Sequence, residues 1–81
     1  MAIYHLLLFG ICRDLLKKDQ ISIETQERVE AGTLLEITKT TYPELRNLPS
    51  LRLAADHHFP KMDFIVDEHM EIALIPPVSG G

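Results

Sequence analysis

The chain has no tryptophan and one cysteine, Cys12, among its 81 residues. A single thiol excludes an internal disulfide, and nothing in that count points to secretion. Positive charge is also scarce. Eight Lys and Arg stand against twelve Asp and Glu, for a net charge of −4, which argues against a surface for DNA or RNA. It leaves room for a basic protein partner. No apolar run approaches the ~20 residues of a membrane helix. The stretch "IYHLLLFGIC" contains His5, lacks a preceding basic segment and runs into "RDLLKKD" without a small-residue cleavage site, so it is not read as a signal peptide. A cytoplasmic protein away from membranes is expected. There is no glycine-rich phosphate loop and no Ser/His/Asp or Cys/His set at a familiar spacing. The chain is therefore expected to bind no cofactor itself and to bring no catalytic machinery of its own.

What is present is ordinary globular material. A hydrophobic fraction of 46% with 25% charged residues excludes disorder, and the length allows one core. Residues 2–9 are predicted as a strand, with Tyr4, Leu6 and Leu8 on one face and Ile3, His5, Leu7 and Phe9 on the other. Two apolar faces predict a central strand. Gly10 opens a short helix, with Ile11, Leu15 and Leu16 at core spacing. "QISIETQ" alternates as a strand with one wet face, Ile21, Ile23 and Thr25 inward. "TLLE" has the form of a capping box, Thr33 with Glu36. It predicts a helix carrying Leu34, Leu35, Ile37, Thr38 and Tyr42 inward and ending before Pro43.

"SLRLAADHHFPKMDF" predicts a strand, a turn over Asp56 to His58, and a second short strand that Pro60 confines to a sheet edge. "HMEIALI" alternates as the last strand. The order predicts one mixed sheet with the long helix across one face and the first and last strands together in the middle: an α+β, ubiquitin-like β-grasp. Parity then places Leu7, Ala73 and Ile75 on the open side of the sheet, and Phe59 joins them from the edge hairpin. An apolar patch where the chain leaves the sheet predicts a docking surface.

The closing stretch "IPPVSGG" is the strongest functional signal. A domain over residues 1–76 is followed by an extended tail, residues 77–81. Pro76 and Pro77 cannot extend the sheet and hold φ near −65°, so the chain leaves stiff and extended. Val78 offers one apolar anchor, and Ser79, Gly80 and Gly81 are slender enough for a narrow channel. Five or six such residues reach ~17–20 Å. Immobilising them costs about 5–10 kcal/mol of backbone entropy, of which each proline offsets about 0.4–1 kcal/mol. The rest must come from contacts of the globular body. The candidate reactive group is the carboxylate of Gly81. Other candidates are weaker. Asp56, His57, His58 and His69 lack metal-ligand spacing and read as solvated, so no metal site is expected. Cys12 near a helix start could hold a stabilised thiolate, but reads as a small core residue.

At "EIALIPPVSGG" the sequence resembles the small subunits of molybdopterin synthase, the ubiquitin-like sulfur carriers of molybdenum-cofactor biosynthesis. "LLLFGICRDLL" is similar to their first strand and helix, and "TLLEITKTTYP" to their second helix. Glu68 and His69 stand where the family often has a Gly-Asp turn, and "ADHHFP" replaces a more usual Asn-containing turn. The resemblance implies that a ubiquitin-activating-like adenylyltransferase, using ATP, adenylates Gly81, which then becomes a thiocarboxylate. Its sulfur would pass to cyclic pyranopterin monophosphate in the large subunit of a heterotetrameric synthase. Pro76, Pro77, Val78, Ser79 and Gly80 would enter the insertion channel, and Leu7, Phe59 and Ile75 would contact the partner's body. The alternatives acting through the same terminus are a ubiquitin-like protein modifier and a thiamine- or tRNA-type sulfur carrier.

Overall fold

The computed structural model describes residues 1–77 of the chain. Four strands and two helices form: β1 (Ala2–Leu8), α1 (Gly10–Leu16), β2 (Gln20–Thr25), α2 (Ala31–Thr41), a 3-10 turn over Pro43–Asn47, β3 (Arg52–Ala55) and β4 (Ile72–Ile75). The sheet order is β2-β1-β4-β3. β1 runs antiparallel to β2 and parallel to β4, while β3 pairs antiparallel with β4. The sheet is mixed, the first and last strands are central, and α2 lies across one face. This is the ubiquitin-like β-grasp that the alternation in the sequence predicts.

The core follows from strand parity. Tyr4, Leu6 and Leu8 of β1, Ile21 and Ile23 of β2, Leu53 of β3, and Ile72 and Leu74 of β4 are buried against Leu34, Leu35 and Thr38 of α2. Each large aliphatic side chain so buried contributes roughly 1.5–3 kcal/mol. Thr38 is the one buried polar residue among these, and its hydroxyl donates to the Leu34 carbonyl one turn back (2.7 Å). No described buried side-chain nitrogen or oxygen lacks a hydrogen-bond partner.

Four local expectations are corrected. The Thr33–Glu36 capping box does not form, because α2 starts earlier, at Ala31, after Glu30. The leading amides are taken by the loop instead: Ala31 N–H donates to the Phe64 carbonyl and Gly32 N–H to that of Met62 (2.8 and 2.9 Å). In α1, Cys12 is fully buried and Leu16 half-buried, whereas Ile11 and Leu15 are exposed. Gly10, at φ +53°, sets the turn into this helix so that the stripe one residue further on meets the core.

The predicted hairpin strand after Asp56 shrinks to one bridge. Asp56 and His57 both have positive φ, and Ala55 and His58 exchange both backbone hydrogen bonds (2.8 and 3.0 Å). The turn is therefore a tight two-residue one. The next hydrogen-bonded pair would join Leu53 to Pro60, and proline has no N–H to give. Finally, β4 begins at Ile72 rather than His69, since the backbone before it is held in turns. His69 N–H donates to the Asp67 carboxylate and Glu71 N–H to that of Asp56 (2.7 and 2.8 Å).

Candidate functional site

Of the chemistry-bearing places in the molecule, the end of β4 is built with the most support. β4 is hydrogen-bonded on both sides, with Ile72 to Leu74 registered on Leu6 to Leu8 and Ile72 to Ile75 on Ala55 to Arg52. The ladder ends at Ile75 because Pro76 has no N–H to continue it. Pro76 and Pro77 are both half-buried. Pro76 leans on the start of α1: a Cβ at Gly10 would lie 3.2 Å from Pro76 Cγ. Gly10 thus serves two purposes, a left-handed backbone and room for the first proline. The sequence reading used Gly10 only as a helix opener; a lone glycine between strand and helix carries no sign of what sits above it.

The open face of the sheet surrounds this exit. Leu7, Ala73 and Ala54 lie in one row across β1, β4 and β3, and Arg52 lies opposite Ile75 in the row nearest the tail. The two alanines leave a depression of about 280 Å³ walled by Phe9, Phe59 and Ile75. His57 and Glu71 close its far end with an Nε2–Oε2 separation of 3.4 Å. Leu7 and Ile75 are half-buried, and Phe59 is 51% exposed. The three residues expected to form a docking patch are therefore on one face. Phe59 reaches it from the irregular chain after the turn and not from a strand. Arg52 adds a charge that the sequence reading did not single out, with its guanidinium carbon 3.5 Å from the Phe59 ring centroid. Ala54 and Phe9 were also missed as wall residues. Strand alternation already put Phe9 outward, whereas Ala54 needed the β3–β4 register.

The expected tail residues divide at the limit of the described chain. Pro76 and Pro77 are placed as above, while Val78, Ser79, Gly80 and Gly81 lie outside the described residues.

The weaker candidates are drawn into structural contacts. Asp56, His57, His58 and His69 do not converge. Asp56 accepts the Glu71 amide, and His57 faces the Glu71 carboxylate. Asp67, Glu68 and His69 do lie close enough to share an ion, but Arg28 occupies both carboxylates, at 2.6 Å from Glu68 and 3.4 Å from Asp67. The His69 amide, followed by the Arg28 charge, holds the Asp67 carboxyl below its ordinary range. A backbone hydrogen bond and then the Arg28 side chain do the same for Glu68. This group is an ion-pair clamp between two loops. Burial pushes the Cys12 thiol upward, so the thiolate reading is set aside for the core one. A larger groove of about 590 Å³ runs beside α2 and Met62, on the helix side of the sheet and away from the tail; its lining holds no histidine, lysine or cysteine. No described helix is long and apolar enough to cross a membrane.

Comparison with known proteins agrees with this fold. The ThiS family matches residues 6–81, nearly the whole chain. A Pyrococcus furiosus protein described as molybdopterin converting factor, subunit 1, has the same fold with a TM-score of 0.83 at 17% identity, covering 96% of this chain and 100% of that one. The small archaeal modifier protein 1 of Haloferax volcanii matches with a TM-score of 0.79 at 16% identity, covering 96% and 100%. That of Methanosarcina acetivorans matches at 0.75 and 18%, covering 100% and 98%. At such identities the likeness speaks for the fold.

Proposed function

The chain belongs to the ThiS family of ubiquitin-like sulfur carriers, and from that premise we propose that it is the sulfur-carrying small subunit of a molybdopterin synthase. The observation that carries the reading is that the family match runs through residue 81, taking in the tail and not stopping at the last strand. The chemistry is that of an activated carboxyl group. A carboxylate is a poor electrophile, so the Gly81 carboxylate attacks the α-phosphorus of ATP on a separate adenylyltransferase and displaces pyrophosphate. Sulfide, as HS−, then displaces AMP and leaves a thiocarboxylate. The large synthase subunit supplies the catalytic side chains. It accepts the tail from Pro76 to Gly81. The thiocarboxylate sulfur displaces an oxygen substituent from a carbon of cyclic pyranopterin monophosphate. Water then hydrolyses the resulting thioester, leaving the sulfur on the pterin and Gly81 a carboxylate again. Two such transfers make one dithiolene.

The body of the protein contributes rigidity and adhesion. Two-sided pairing of β4 and the seat of Pro76 on Gly10 fix where the tail begins. Leu7, Phe59 and Ile75 supply the apolar contact that offsets the entropy of ordering the tail. Support for the synthase role in particular comes from the Pro-Pro-Val-Ser-Gly-Gly ending.

Reconstitution with a large subunit and the pterin precursor tests the proposal. Protein whose Gly81 bears a thiocarboxylate should yield dithiolene product, and unmodified protein should yield none. Product from both, or from neither, would remove the synthase role.

A second reading, a ubiquitin-like protein modifier, is favoured by the equal likeness to the archaeal modifier proteins. Mass spectrometry of protein recovered from cells separates the two. A terminus in which sulfur replaces oxygen supports the carrier, whereas Gly81 joined to lysine side chains supports the modifier.

A further inference from the structure

The tail-side face is apolar at its centre and ionic at two opposite corners. At the far corner Glu71 faces His57. Four residues further along β4, about 13 Å away, is the corner nearest the tail. There Arg52 stands opposite Ile75, the last ladder residue. Its guanidinium carbon is 3.5 Å from the centre of the Phe59 ring, a distance reached only when the planar group lies flat on the ring. Among the described residues no carboxylate pairs with Arg52, whereas Arg13 and Lys39 each have one and Arg28 has two. Stacking occupies the face of the guanidinium and leaves its N–H groups pointing outward in the plane, ready for a fork-to-fork contact. It also orders a long side chain before any partner arrives, which lowers the entropy lost on binding.

We propose that Arg52 is the recognition residue of this face and that it accepts an Asp or Glu carboxylate of the partner protein that receives the tail. The partner's acid sits beside an apolar side chain that fills the depression over Ala54 and Ala73. Net charge alone suggests the opposite, since an acidic chain leaves room for a basic partner. At this corner the local charge is positive, and local charge decides contact chemistry once surfaces meet within a Debye length of about 8–10 Å. A carboxylate of a protein is favoured over a free phosphate because the adjoining depression is apolar and fits a side chain. The inference rests on the sulfur-carrier reading above, because it takes the docking partner from there.

The test titrates the full-length protein into purified molybdopterin synthase large subunit by calorimetry, at about 50 and about 300 mM salt. Arg52→Gln should bind about 10-fold more weakly and with a flatter salt dependence, as expected for loss of a charge-assisted bidentate contact beside the apolar centre of the face. Arg52→Lys should fall between, since lysine keeps the charge but neither stacks nor forks. Arg52→Glu should be weakest. Phe59→Leu keeps apolar bulk but removes the platform, and should reproduce part of the Arg52→Gln loss. Arg52 is exposed, so thermal melting of Arg52→Gln should match the wild type and exclude a folding defect. Wild-type affinity and salt slope in Arg52→Gln, alongside loss of binding in Ile75→Asp, overturns this inference and leaves the carrier reading standing. Tighter binding by Arg52→Glu also overturns it, because the partner would then be basic. A wild-type dimer that Arg52→Gln dissolves without change in large-subunit affinity would assign the face to a second copy and overturn it. Absence of wild-type binding to the large subunit removes the synthase-subunit reading and this inference with it.

Discussion

The hydroxyl of Tyr4 donates to the carbonyl of Val66, sixty-two residues away, at 2.7 Å, and accepts the Val29 amide at 3.0 Å. One side chain of the central strand thereby holds both the connection into α2 and the long irregular segment that precedes β4. Tyr4 is fully buried, so neither partner can turn to water when the hydroxyl is removed. Tyr4→Phe should cost about 1–3 kcal/mol. For a domain of this size that lowers the melting temperature by roughly 4–8 °C per kcal/mol, measurable by circular dichroism. Large-subunit affinity of the folded fraction should be unchanged, since Tyr4 faces the core and not the open side of the sheet.

Gly10→Ala should affect the tail more than the fold. A left-handed backbone costs an ordinary residue about 1–2 kcal/mol, and the new methyl would press on Pro76 at 3.2 Å. Stability should fall about as far as in Tyr4→Phe. Sulfur transfer at a temperature where both are folded should fall further in Gly10→Ala, because only that change disturbs the tail's seat. Equal transfer rates in the two variants would show that the seat does not matter.

The depression over Ala73 offers a test by volume without charge. Ala73→Leu fills the space between Ile75 and Phe59 from the open side of the sheet. Thermal stability should be unchanged or slightly raised, while affinity for the large subunit should drop at least tenfold in titration calorimetry. Undiminished affinity would place the partner's contacts elsewhere.

Acid should loosen the Arg28 clamp. The carboxyls of Asp67 and Glu68 are held below their ordinary range in the folded protein. Groups with depressed folded pKa values add stability above the unfolded pKa and lose it as pH falls through the folded one. Denaturation midpoints should therefore decline between about pH 5 and about pH 2. In Arg28→Gln the decline should be shallower, because one of the contacts favouring ionisation is gone.

Cys12 should resist thiol reagents. It is fully buried and its thiol is pushed upward by that burial. Iodoacetamide or a disulfide reagent at neutral pH should label native protein far more slowly than protein in guanidinium, and labelling should track unfolding. Rapid native labelling, read by mass spectrometry, would contradict the core placement.

Much of this molecule was legible in its sequence where the period of apolar residues was unambiguous. Tyr4, Leu6 and Leu8 alternate cleanly, as do Ile72 and Leu74, and both sets are buried where alternation puts them. The same parity placed Leu7, Ala73 and Ile75 on the opposite face. Local signals failed where a distant backbone took over a local role. Thr33 and Glu36 have the form of a cap, yet loop carbonyls at Met62 and Phe64 satisfy the helix start first. Residues after Asp56 read as a strand, yet the ladder stops at the Ala55–His58 bridge, since the next pair would need an N–H from Pro60. In the short α1 the spacing puts Ile11 and Leu15 inward, yet packing buries Cys12 and leaves those two exposed.

The sequence by itself determined the sheet, its central pair and the place where the ladder stops at Pro76, because alternation and proline act within a few residues of themselves. Tertiary structure alone decided that Gly10 supports Pro76, that Arg52 lies on Phe59, and that Ala54 joins Ala73 beneath them. These pairs are separated by up to sixty-six positions in the chain (76 − 10). Strand register and loop path bring them together, and neither is encoded in any one stretch that holds them.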